Sequence, residues 1–119
     1  MPARLKPAAR EDVAAARARL AAGTAQKADL KLLTKHYLAL MEAKEPGKSV
    51  EIRVPPFAAI QCIEGVRHTR GTPPAVIETD AATWIALATG DLDWADALHS
   101  GRISASGERT DLAAHLPLG

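Results

Sequence analysis

Between Asp80 and Gly107 the chain reads DAATWIALATGDLDWADALHSGRISASG, and the punctuation of that stretch leaves few folds open. Asp80 can cap a helix on which Trp84, Leu87 and Ala88 share a face, and Gly90 supplies the left-handed residue that ends it. Asp93 can cap a second, shorter helix that turns Trp94, Ala97 and Leu98 to one side, sets Asp96 near its positive end and stops at Gly101. Ile103 and Ala105 then alternate with Ser104 and Ser106, the period of a half-buried strand closing at Gly107.

Two more helices are expected upstream, over residues 7–43. Residues 1–6 form a flexible arm in this reading, and Pro7 suits the first turn of a helix running to about Ala22 with Glu11 and Asp12 near its positive end. Its stripe of Val13, Ala16 and Leu20 clamps it to a core, while Arg10, Arg17 and Arg19 lie elsewhere and offer, as a second reading, a basic surface for anionic lipid. Gly23 stops this helix and Thr24 caps the next, which continues to about Ala43 before Pro46 and Gly47. Leu30, Leu33, Tyr37, Leu40 and Met41 follow the helical period there, with Leu32 and Leu38 widening the apolar face.

At Ser49 the period changes to two. Val50, Ile52 and Val54 alternate with Glu51 and Arg53 until Pro55 and Pro56 end the strand, since proline cannot donate to a ladder. Phe57 to Glu64 is a second strand, apolar enough for both faces to be covered, and Ala75 to Thr79 is a third. A short terminal helix starts near Thr110 or Asp111 with Leu112 and Leu116 inward. The order implies one domain over residues 1–119 with an α+β fold: an open, mixed, mainly antiparallel twisted sheet with helices packed on one face. The helical insertion ahead of Arg102 to Ser106 permits a parallel crossover at that point.

Charge excludes some functions. Fifteen Lys and Arg against 14 Asp and Glu leave a net charge of +1, and only 3% of residues are aromatic, so neither the field nor the stacking platforms of a nucleic-acid binder are present. No apolar run approaches the ~18 residues of a membrane span, which argues against stable membrane insertion. The N-terminal stretch lacks the apolar core of a signal peptide, and the single cysteine, Cys62, forms no internal disulfide; a cytoplasmic protein is expected.

The residues Asp80, Trp84, Leu87, Gly90, Leu92, Ala97, Gly101, Ile103 and Gly107 follow a pattern that resembles the C-terminal half of sterol carrier protein domains. The stretch Arg53 to Asp80 is similar to the compact bacterial branch of that superfamily, so the resemblance spans roughly residues 49–116. It implies an apolar tunnel between sheet and helices and the carriage of a sterol-like or fatty-acyl amphiphile. From the predicted faces, candidate tunnel-wall residues are Leu33, Tyr37, Met41, Phe57, Ile60, Trp84, Leu87, Trp94 and Leu98.

The loop GVRHTRGTPP places Arg67, His68 and Arg70 beside Thr69, Gly71 and Thr72, a set able to hold the head group of an anionic amphiphile, or equally a solvated turn fixed by Pro73 and Pro74. Cys62 in a strand is a small hydrophobe before it is a nucleophile. His36, His68, His99 and His115 lack metal-motif spacing, no phosphate loop, dinucleotide fingerprint or serine elbow occurs, and neither a cofactor nor a catalytic residue is assigned. A lipid carrier is therefore the leading expectation, ahead of a partner-binding module with a filled core and an enzyme built on the Arg67, His68 and Arg70 loop.

Overall fold

Residues 5–64, 75–106 and 112–118 are described by the computed structural model. Helices α1 (Arg10–Ala21) and α2 (Lys27–Lys44) precede strands β1 (Val50–Val54), β2 (Ala58–Cys62) and β3 (Ala75–Thr79). Helices α3 (Ala81–Thr89) and α4 (Trp94–His99), strand β4 (Ile103–Ser106) and a 3-10 turn (Ala113–His115) complete the order.

The strands form one open mixed sheet in the order β2-β1-β3-β4. β1 runs antiparallel to β2 and parallel to β3, and β3 runs antiparallel to β4. The parallel pair thus lies at β1 and β3 and not ahead of β4. One helix between β3 and β4 would favour a parallel return, but here the chain goes out along α3, turns at Gly90 in the left-handed conformation, and comes back along α4. Ile103 consequently enters opposite Thr79, at the end of β3 where the chain left the sheet.

Alternation decides the faces. Val50, Ile52, Val54, Ile60, Cys62, Ala75, Ile77, Thr79 and Ile103 are all buried on the side that meets the helices. Arg53, Ala59, Gln61, Glu78, Ser104 and Ser106 are exposed on the other, so β2 does not have both faces covered as its apolar run suggests. On that outer face Arg53 Nε donates to Glu51 Oε2.

α2 is the main helix of the covering layer, with Leu33, Thr34, Tyr37, Leu38 and Met41 buried, and it packs against α3 and β2. α1 lies against α2 through buried Ala16 and half-buried Val13 and Leu20, the expected clamp. It starts at Arg10 and not at Pro7, because Ala8 N–H is held by His36 Nδ1 of α2 at 3.0 Å and Ala9 is extended. Within the expected arm, Leu5 packs against the core, so the docked chain already begins there.

Capping follows side-chain chemistry with some changes. Asp80 caps α3 by accepting from Thr83 N–H at 3.2 Å and Thr83 Oγ1 at 2.6 Å. Burial opposes ionisation of Asp80, but the Thr83 side-chain and backbone bonds, together with the backbone N–H groups of Asp80 and Ala82, outweigh it and hold the carboxyl below its ordinary range. Asp93 sits extended at the start of α4 without a side-chain cap bond. Gln26 and not Thr24 precedes α2: Asp29 Oδ2 accepts from Gln26 N–H at 3.0 Å, and Thr24 Oγ1 donates back to Arg19 O at 3.3 Å. Asp29 is itself gripped by Arg19 at 3.0 and 2.7 Å, which joins α1 to the start of α2. The terminal helix is only the 3-10 turn, since Pro117 prevents an α-helix from continuing; Leu112 is buried and Leu116 half-buried, and Thr110 and Asp111 lie outside the described residues.

A knot of backbone contacts ties the exit of α2 to the end of β2. Ile63, with φ of 65°, donates to Glu45 O at 2.6 Å and accepts from Ser49 N–H at 3.0 Å and Ser49 Oγ at 2.5 Å. Gly47 passes so close that a Cβ there would lie 2.2 Å from the Ile63 carbonyl carbon and oxygen. Only glycine fits that approach.

Candidate functional site

The sheet's inner face and the helices enclose an apolar layer. From the sheet come Val50, Ile52, Val54, Ile60, Cys62 and Ile77; from α2 Leu33, Tyr37, Leu38 and Met41; from α3 Trp84, Ile85 and Leu87, all in one buried cluster. Trp84 is positioned by an edge that needs a partner: its Nε1–H donates to Thr34 O across the α2 and α3 contact at 3.3 Å. Thr34 Oγ1, buried beside that bond, has no hydrogen-bond partner among the described residues.

At one end this layer opens into a hollow of about 160 Å³. Leu87 from α3, Gly90, Leu92 and Asp93 from the connecting turn, and Trp94 from α4 form its floor, while Ala113, Leu116 and Pro117 roof it. Contacts on both sides fasten the roof. Leu118 N–H donates to Ala88 O at 2.7 Å, Lys44 Nζ donates to His115 O at 3.0 Å, and His115 Nδ1 lies 3.3 Å from Glu45 Oε2.

The candidate wall residues distribute unevenly around this geometry. Leu33, Tyr37, Met41, Ile60, Trp84, Leu87 and Trp94 are buried in the layer. Phe57 is half-buried against it, in the turn between β1 and β2 and not in a strand. Leu98 is 46% exposed although it stands one turn on from Trp94 on the same side of α4: exposure there reflects what covers the last turn of the helix, not the helical period. Only Leu87 and Trp94 reach the hollow. Arg67, His68 and Arg70 lie outside the described residues. Of the roof residues, Leu116 is expected inward from the sequence, whereas nothing in the local pattern points to Ala113 and Pro117.

Cys62 is buried, and burial, reinforced by the charges of Glu42 and Glu45, pushes its thiol up to about 12. It packs as an uncharged hydrophobe, not as a thiolate nucleophile. His36 is held below its usual range by burial. Among the described residues no helix is long and apolar enough to cross a membrane.

The arrangement is thus a four-stranded sheet with an apolar layer beneath helices and a recess at the α3 and α4 corner. The profile of the bacterial SCP ortholog family matches residues 26–118. The chain belongs to that family. The match starts earlier than the sterol-carrier resemblance did, at Gln26 immediately before α2, so the helix that supplies Leu33, Tyr37 and Met41 is part of the family unit while α1 stands before it. No curated protein matches the chain.

Proposed function

We propose that this SCP-family chain is a cytoplasmic lipid carrier that takes a fatty-acyl amphiphile, its chain entering the apolar layer through the hollow under the C-terminal segment. The observation that carries this reading is the hollow itself, where Leu87 and Trp94 belong at once to the buried cluster and to an accessible recess. A carrier makes and breaks no bonds in its cargo. It needs an apolar enclosure, which stabilises hydrocarbon by about 0.8 kcal/mol per methylene removed from water, and a way in.

The way in is the C-terminal segment. Among its fastenings, the bond from Lys44 Nζ to His115 O and the contact of His115 Nδ1 with Glu45 Oε2 lie near the surface, where such contacts contribute about 0–1 kcal/mol each. Lifting the segment also uncovers Leu112 and the packed Leu116 and Leu118, so an entering chain has to replace that apolar contact. At about 160 Å³ the recess falls below the ~300–1,000 Å³ of ordinary ligand pockets. That size suits the end of a single chain and disfavours a whole sterol unless the segment moves.

The complete burial of Leu33, Leu38, Met41, Ile52 and Val54 favours a second reading, a partner-binding module whose core is simply full. Titrating delipidated protein with hexadecanoate separates the two. The carrier reading expects a change in tryptophan emission that Trp94→Phe removes, lower affinity in Leu87→Trp, and a gain of about 2.7 kcal/mol in stability at a hundredfold excess over Kd. No stabilisation and no response from Trp94 would leave the filled module.

A further inference from the structure

A larger hollow lies on the outside of the helical layer, between the N-terminal segment and α2. It holds about 330 Å³. Along α2, Ala28, Leu32 and His36 recur every four residues and form one row, and Lys31 and Lys35 form the next. The facing wall is the segment around Lys6 and Ala8, latched by Ala8 N–H to His36 Nδ1 at 3.0 Å. An imidazole accepting at Nδ1 is neutral and keeps its proton on Nε2.

The charge of the groove is one-sided. Lys6, Lys31 and Lys35 line it, no lining residue is acidic, and none of these ammonium groups is in an ion pair among the described residues. Asp29, one turn ahead on α2, is committed to Arg19 at 2.7 Å. Between the lysines the surface is apolar, from Ala8, Ala28 and Leu32. A bare anion would make no use of Leu32.

We propose that this groove binds a small anionic amphiphile, its phosphate or carboxylate held by Lys6, Lys31 and Lys35 and its first methylenes laid on Ala8, Ala28 and Leu32. Lysine ammonium groups act as point charges and accept either head group. The volume lies at the lower end of the range for small-ligand sites. No lining residue is shared with the recess at Leu87 and Trp94, so this site stands whether or not the chain is a carrier.

Amide chemical-shift mapping of the full chain with octyl phosphate, below its micelle concentration, tests it. Saturable shifts are expected at Ala8, Ala28, Leu32 and His36, weakened by added salt. The double variant Lys31→Glu/Lys35→Glu should lose about tenfold in affinity, with Lys31→Gln/Lys35→Gln giving a smaller loss in the same direction should charge reversal disturb folding. Equal affinity for inorganic phosphate would overturn the proposal by showing that the chain is not read. So would unchanged affinity in both double variants, or shifts confined to Leu87 and Trp94. Binding to phosphatidylglycerol vesicles without binding of monomeric octyl phosphate would replace it with a membrane-docking face.

Discussion

Replacing Gly47 by alanine tests the tightest junction of the fold. The new Cβ would lie 2.2 Å from the carbonyl carbon and oxygen of Ile63 and 2.4 Å from Glu64 N, all backbone atoms. The Ile63 peptide cannot withdraw freely, because Ile63 N–H bonds Glu45 O, and Ser49 N–H and Oγ both bond Ile63 O. Relief of the overlap therefore sacrifices two or three hydrogen bonds worth about 0.5–1.5 kcal/mol each, a loss of roughly 1–4.5 kcal/mol, on top of the strain of a non-glycine residue at the φ of 156° that Gly47 adopts. In a chain of this size that lowers Tm by on the order of 10 °C. The assay is urea and thermal unfolding followed by far-UV circular dichroism. Gly23→Ala is the control: Gly23 also has positive φ, 77°, but nothing lies within 4 Å of its would-be Cβ, so it should cost only the ~1–2 kcal/mol of a left-handed alanine. Equal losses in the two variants would refute the clash as the cause.

Three further outcomes follow from the same geometry. Thr34→Val removes a buried hydroxyl that has no partner among the described residues, and should raise stability by about 1 kcal/mol; a loss of that size in urea unfolding would show the hydroxyl to be satisfied. His36 is held low by burial, so the unfolded chain takes up its proton first: stability from His36 is present above ~6.5 and declines as pH falls below it, and His36→Gln should flatten that part of the stability curve measured between pH 7.5 and 5.5. Asp29 is held low first by the Arg19 side chain and then by Gln26 N–H, so its contribution is present above the ordinary carboxylate range and is lost as pH falls through its lowered value; Asp29→Asn should remove that acid-dependent loss in thermal unfolding.

Local chemistry settled much of this fold before any contact was known. The left-handed stops at Gly90 and Gly101, the cap at Asp80, the strand ended by Pro55, and the two-residue period of β1 each depend on a residue and its immediate neighbours. The apolar face of α2 and the sterol-carrier pattern from Asp80 onward were legible for the same reason, and they led to Leu87 and Trp94 at the recess. Tertiary structure decided the rest. Whether β4 joins parallel depends on how many times the chain reverses above the sheet; whether β2 has one covered face depends on what packs there; and whether Leu98, one turn on from buried Trp94, is covered depends on its neighbours in space, which leave it exposed. The grip of Arg19 on Asp29, the latch from Ala8 to His36, and the roof of Leu116 and Pro117 over Trp94 join residues far apart in the chain, and no local period or propensity encodes such distances.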